Sequence, residues 1–502
     1  MSMDSNRPAR VRARRQGQPA SWPAVRAMLC VAASALVLAA CGSTEQGPAG
    51  TAAPGSPAYL PAGKPVGPRS DPAMTAARQY AKVMWDSIML FDRGSAFPAD
   101  KACIDGNGVL QTTSYTFIAN VAAYIWSITA ARDLGFVAPD QAQAKIGRLL
   151  DAIASAQEQA RLRGAPGGML TWAAKLDGAP DGNTVSSVDN AWLAAALALA
   201  KQAYPPLAAR AGGILAAMRF DSMLDPVSQQ FRNTFDLGTA TFSAGTYGVM
   251  SESRLISYVA IGLGQVPRTQ YFHLTRVPEW SEPAIDGSLY RTYEGVPVYE
   301  GIRKYANYVF VPTGGGSVFE AFSVPVLIPE AKWGTGSWAR SHPNQAKAQI
   351  QYGLANWGGY WGFSPASIPA DGGYTEYGAP PMAVATGYSP LGEDVARRAG
   401  PVVSPYSAFL MIEYEPQAVI DNIKRLVRRF PTLQHPQYGF MDSVDVQAGT
   451  VSRCMLLLDQ GLSLGALANY LTGGKLRGYI EQEWGYALQP LLGIETFSIP
   501  AP

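Results

Sequence analysis

Histidine is nearly absent from this sequence: three residues in 502, with four cysteines and only 16% charged residues. His273, His342 and His435 share no metal-ligand spacing, so a histidine-held metal centre is not expected. The chain also lacks an H-E-x-x-H pair, a G-x-S-x-G elbow, a Walker loop and a C-x-x-C motif, which disfavours serine–histidine and metal hydrolases. Gly314-Gly315-Gly316 does not follow a strand in a dinucleotide pattern. The Asp-, Gly- and Asn-rich stretch 177–184 has neither the length nor the spacing of a calcium loop. No cofactor and no metal are therefore expected. With 40 basic residues against 38 acidic ones, the charge balance leaves no footprint for nucleic acid.

What is present begins with an export signal. Arg7, Arg10, Arg12, Arg14, Arg15 and Arg26 precede an apolar run over 27–38, the charge-then-hydrophobe order of a secretory segment, too short to span a bilayer. The run ends in Leu38-Ala39-Ala40-Cys41-Gly42, which resembles the bacterial lipobox and implies a lipidated Cys41; a plain signal peptide cut nearby is the alternative. Residues 1–40 thus read as a lipoprotein signal peptide. Residues 41–70, rich in Gly, Ala, Ser and Pro, read as a tether extending about 3.1 Å per residue. The folded domain is expected over 71–495. Gly42 in place of an aspartate leans toward the outer membrane or cell surface, with the periplasm as the compartment. Export permits a disulfide between Cys103 and Cys454, with two free buried thiols the favoured reading.

Apolar residues at helical spacing predict helices over 74–91, 114–134, 141–162, 188–204, 206–218, 253–262, 345–357, 406–412, 416–429, 462–471 and 476–492. Paired helices without a strand–helix alternation argue for an all-α architecture closed on itself. Residues 293–311 and 361–381 read as loops and short strands on one face, where sites usually sit.

The chemistry on offer is carboxylates beside aromatics. Glu320 stands alone in the apolar segment after the glycine hinge 314–316, and burial there would raise its pKa toward general-acid range. Ser317-x-x-Glu320 equally fits a capping box. Asp189 falls in the first turn of a helix and Glu252 follows a capping Ser251, positions that stabilise helix starts without any catalysis. Asp442 and Asp445 read as turn residues and Asp459 as a cap. Trp357, Tyr360, Trp361, Phe363, Tyr374 and Tyr377 crowd one glycine-rich stretch, a surface on which sugar rings could stack. Acids and aromatics without metal or histidine make up the inventory of a glycoside-active cleft.

Seven blocks then carry a resemblance: 113–123 with 130–136, Ser187-Val-Asp-Asn-Ala-Trp-Leu, Ser251-Glu-Ser-Arg-Leu-Ile-Ser, Gly316-Ser-Val-Phe-Glu320, Gly373-Tyr-Thr-Glu-Tyr-Gly-Ala, Tyr438-Gly-Phe-Met-Asp442 and Leu458-Asp-Gln-Gly461. Together and in this order they resemble the bacterial glycoamylase-like domain, a family that includes endo-β-1,2-glucanases and the processing module of cyclic β-1,2-glucan synthases. The resemblance implies an (α/α)6 toroid whose central cleft hydrolyses a polysaccharide, a β-1,2-glucan, with inversion. It assigns Glu320 as general acid, Glu252 and Asp189 as base or substrate contacts, and Trp361, Tyr374, Glu376, Tyr377, Asp442 and Asp459 as substrate-binding residues. A monomer is expected, with a polysaccharide or oligosaccharide as its partner and Cys41 holding it to a membrane. Ala244, Gly245 and Val249 stand where several relatives carry acids, so the general base is left open. A noncatalytic glycan-binding lipoprotein is the competing reading; a lyase on the same toroid, which would need uronic acids, is the weaker third.

Overall fold

The computed structural model describes residues 72–248, 250–276, 290–384 and 400–500. The signal peptide, Cys41, the tether and Val249 lie outside the described residues.

In chain order the helices are α1 (Pro72–Ile88), α2 (Ile118–Asp133), α3 (Pro139–Leu162), α4 (Ser187–Ala203), α5 (Ala208–Ala217), α6 (Arg254–Gly262), α7 (Val318–Phe322), α8 (Glu330–Trp333), α9 (Trp338–Asn356), α10 (Pro405–Leu410), α11 (Pro416–Arg429), α12 (Leu457–Thr472) and α13 (Lys475–Ile494). They sort into two layers by how apolar residues are distributed around each helix. In α3, Ala142, Ile146, Leu149, Ile153, Ala156 and Ala160 form one buried stripe, and α11 buries Val419, Ile420, Ile423 and Leu426; these helices face water on their other side. By contrast α2 is buried from Ile118 to Ala131, and α6 and α10 are buried throughout. A helix that is apolar all round must be enclosed.

The enclosed helices α2, α4, α6, α7, α10 and α12 form a closed ring. Each packs on the next, α2 on α4, α4 on α6, α7 on α10, α10 on α12 and α12 on α2. The remaining junction, α6 to α7, is made by Arg254, whose guanidinium donates to the carbonyls of Glu320 and Ala321 at 2.7 and 2.8 Å. The amphipathic helices wrap this ring, giving an all-α (α/α)6 toroid. Gly465 allows one tight crossing: a Cβ there would meet Val326 at 2.6 Å.

Short antiparallel strands cap the end where the inner helices begin. Strand Tyr115–Phe117 runs into α2, Thr184–Ser186 into α4 and Cys454–Leu456 into α12. Two expected helix starts move accordingly. Tyr115–Phe117 pairs with Ala173–Lys175 instead of extending α2, and α12 begins at Leu457, five residues before the expected 462, so Asp459 lies inside its first turn. Residues 293–311 form hairpin strands as expected.

Cys103 and Cys454 face each other across an antiparallel pair and are joined as a disulfide, which corrects the expectation of free thiols. The bond closes a loop of 351 residues between the start and the end of the fold. Crosslinks of this kind stabilise by roughly 2–5 kcal/mol, chiefly by restricting the unfolded chain. The Cys103→Ser/Cys454→Ser variant should therefore unfold at a clearly lower denaturant concentration; an unchanged midpoint would contradict this.

Candidate active cleft

Ala119 of α2, Asp189 of α4, Phe319 of α7, Leu458 of α12 and Glu252, just ahead of α6, line one cleft. Four of the six inner helices thus contribute their starts to it, and the segment leading into α6 contributes Glu252. The cleft opens to solvent, and its space together with the solvent at its mouth is about 730 Å³. Its walls carry Trp172, Trp192, Tyr247 and Tyr374, flat apolar faces of the kind that stack on sugar rings.

Carboxylates recur at one position of the ring. Asp189, Glu320 and Asp459 are each the third residue of their helix. There a side chain folds back over the cap and lies near the positive end of the helix dipole. Ser186 caps α4, and its hydroxyl donates to Asp189 at 2.6 Å. Around Glu320 the capping box is complete. Its carboxylate accepts from Thr313 Oγ1 (3.0 Å), Gly315 N (2.9 Å), Ser317 N (3.1 Å) and Ser317 Oγ (3.0 Å). Burial was the basis for reading Glu320 as an acid, yet this loop supplies a cradle of donors suited to an anion. The cradle, not desolvation, dominates its surroundings.

Glu252 has the environment that was expected of Glu320. It is 6% exposed, and its Oε2 is buried without a hydrogen-bond partner. Burial, followed by the nearby charge of Glu320, pushes its carboxyl up to about 7. The neighbouring Arg254 pulls the other way, but its guanidinium is committed elsewhere. It pairs with Glu330 at 2.6 and 2.9 Å and donates to the Ser251 carbonyl at 2.7 Å. Tyr258 (2.8 Å) and His342 (3.1 Å) also contact Glu330. For Glu330, burial alone would favour the neutral form, but Arg254 outweighs it and holds the carboxyl at about 2.

A second acidic pair is formed by Asp442 and Asp459. Asp442 is buried, accepts the Ser367 N–H at 2.6 Å and is hydrogen-bonded to Asp459. Burial raises the Asp442 pKa. Asp445 is a turn residue as expected, accepting from Gln447 N and Ala448 N.

The structure thus brings Glu252, Asp189 and Tyr374 to the cleft surface; Glu320 and Asp459 are buried and adjoin the lining residues Phe319 and Leu458 in the chain, and Asp442 contacts Asp459. Trp361, Tyr377 and Glu376 are buried and are not among the described residues that line this cleft. Trp361 is 1% exposed, packs over Gly353, and its carbonyl accepts from Asn422. Tyr377 sits in a small apolar cluster with Ala366 and Val402, and Glu376 is buried. The aromatic, glycine-rich stretch from 357 folds back onto α9 and α11, so its rings serve mainly as core, with Tyr374 reaching the cleft. Trp172 and Trp192 were not singled out by sequence reasoning. Trp172 immediately precedes a strand of three residues, a context with no periodic signal; Trp192 stood inside the α4 block but read as helix core.

A ring of paired helices with an acid-bearing, aromatic cleft at the inner helix starts defines an (α/α) toroid. Comparison with known proteins bears out the glycoamylase-like resemblance. Residues 281–479 match the Glycoamylase family model, described as "Putative glucoamylase". The cyclic β-(1,2)-glucan synthase NdvB of Rhizobium meliloti is 25% identical over 337 residues, 64% of this chain, and the match spans about a tenth (10%) of that relative's length. Among solved structures, an endo-β-1,2-glucanase from Chitinophaga pinensis in complex with sophorotriose and glucose superposes with a TM-score of 0.61 at 12% identity, over 84% of this chain and 98% of its own. The Talaromyces funiculosus endo-β-1,2-glucanase with sophorose gives 0.64 at 14% identity, over 85% and 92%. These structures share the fold.

Proposed function

We propose that this chain is a glycoside hydrolase that cleaves a β-glucan, β-1,2-linked, with inversion, and that Glu252 is its proton donor. The observation that carries the proposal is a cleft-lining carboxyl raised to about 7, so that near neutral pH it still holds a proton to give. Inversion needs acid and base on opposite faces of the scissile bond. In the inner ring α12 lies diametrically across from α6, and Asp459 at the start of α12 is the base that this geometry favours. Glu252 protonates the glycosidic oxygen as the C–O bond breaks, and water adds to the anomeric carbon from the far side. The water's proton passes to Asp459, which Asp442 contacts. Glu320 stands close enough for its charge to raise the proton affinity of Glu252. Asp189 binds sugar hydroxyls.

Reducing-sugar release from a panel of glucans tests this reading. Turnover of β-1,2-glucan by the wild type and a loss of about 10²–10⁴-fold in Asp459→Asn, the worth of a general base, would support it. Binding without turnover on every glucan would overturn it in favour of a noncatalytic glycan-binding protein. Trp172→Ala should raise KM about tenfold through a lost stacking face, measured on the same substrate. We further propose that the protein is exported and held to the envelope through Cys41, a placement that the disulfide supports because such bonds persist in oxidising compartments. Incorporation of labelled fatty acid, lost in Cys41→Ala, checks it.

A further inference from the structure

We infer that a second cavity on the same rim extends the cleft and takes additional sugar units of a neutral glucan chain; this rests on the hydrolase reading above. The cavity is an open depression beside the disulfide, about 1170 Å³ with the solvent at its mouth, and Lys101, Gln111, Tyr115, Asp371 and Arg453 surround it.

Two features join it to the central cleft. Aromatic rings form a path: Trp172, in the cleft wall, meets Phe117 at 4.9 Å, and Phe117 meets Tyr115, in the second cavity, at 5.7 Å. The hairpin of strands Ala366–Ser367 and Tyr374–Thr375 stands between the two, giving Tyr374 to the cleft and Asp371 and Gly372 to the second cavity. Its tip is held in place. Lys101 donates to the Gly372 carbonyl. Gly372 adopts a φ of +72° and lies so close to the disulfide that a Cβ would meet Cys454 Sγ at 2.7 Å.

The lining selects the ligand class. Lys101 and Arg453 are offset by Asp105 and Asp371, so the cavity offers both donors and acceptors with no net charge. That suits the hydroxyls of a neutral sugar; a phosphate or uronate would call for an excess of cations. An aromatic edge with polar groups of both kinds is also how carbohydrate subsites orient their rings.

The test is calorimetric titration of full-length Glu252→Gln with a short and a long neutral β-1,2-gluco-oligosaccharide, the long one able to span both cavities. The long chain should bind about tenfold more tightly, one good contact's worth. The Gln111→Ala/Arg453→Ala variant, whose two side chains are exposed and so tolerate truncation, should collapse that ratio to about one, as should Gly372→Ala. A ratio that persists in these variants, no preference for length in the parent, or tighter binding of a uronic-acid chain would each overturn the inference. If the wild type hydrolyses both lengths with equal KM, this inference fails and the hydrolase reading survives. If the wild type neither binds nor cleaves either one, both fail.

Discussion

Glu252→Gln should lower kcat on β-1,2-glucan by about 10²–10⁴-fold, the contribution expected of a positioned general acid, while leaving the fold intact. Glutamine keeps the shape and removes the transferable proton. The wild-type rate should fall as pH rises through about 7, because the donor is active when protonated and its carboxyl titrates there. Stability should move the opposite way in the variant. The raised carboxyl binds its proton more tightly in the folded state than in the unfolded one, where the ordinary value is 4.5. Its stabilising contribution is complete below pH 4.5 and is lost as pH climbs to about 7. Above that the wild type carries an ionised buried carboxylate, a penalty of about 3 kcal/mol at roughly 1.4 kcal/mol per tenfold change. Glu252→Gln should therefore be the more stable protein at pH 8. A rate profile with no alkaline fall would remove Glu252 from the donor role.

Arg254→Met should lose about 3–5 kcal/mol of stability, the cost of leaving a buried charge without its partner. Glu330 is fully buried, and Arg254 supplies its only ion pair with a permanently charged group among the described residues. Replacing both, Arg254→Met/Glu330→Leu, should recover much of that loss because no orphan charge remains. The acid response gives an independent reading. Glu330 is depressed to about 2 from 4.5, so its contribution is present above pH 4.5 and is lost as pH falls toward 2. Urea midpoints measured across that window should drop for the wild type and stay flatter for the double variant. Because Arg254 also ties Ser251 to α7, its loss should loosen the spacing of Glu252 and Glu320. Any activity left in Arg254→Met should thus show a shifted alkaline limb.

The helical layers were legible in the sequence because burial writes itself as periodicity: α3 and α11 each show one apolar stripe, α2 an unbroken one. The strands that feed the inner helices were not, since three residues such as 115–117 are too few to reveal alternation. Among site residues, Glu252, Asp189 and Tyr374 could be picked out by their residue type and their place at helix starts or in a glycine-rich loop. Their roles could not. That the 313–317 loop wraps Glu320 and leaves the Glu252 Oε2 without such donors is a tertiary fact invisible in Ser317-x-x-Glu320. Trp361 and Tyr377 misled because aromatic density in a loop signals either a binding surface or a buried lid, and composition is the same for both. The disulfide depended on a strand register joining residues 351 positions apart.

The most direct test of the central claim is proton NMR of the sugar anomer released first when the wild type acts on β-1,2-glucan. Donor and base on opposite sides of the inner ring predict the α-anomer, appearing before mutarotation. Initial release of the β-anomer would mean a retaining route with the two carboxyl groups only about 5–5.5 Å apart, and would contradict the pairing of Glu252 with Asp459 across the ring.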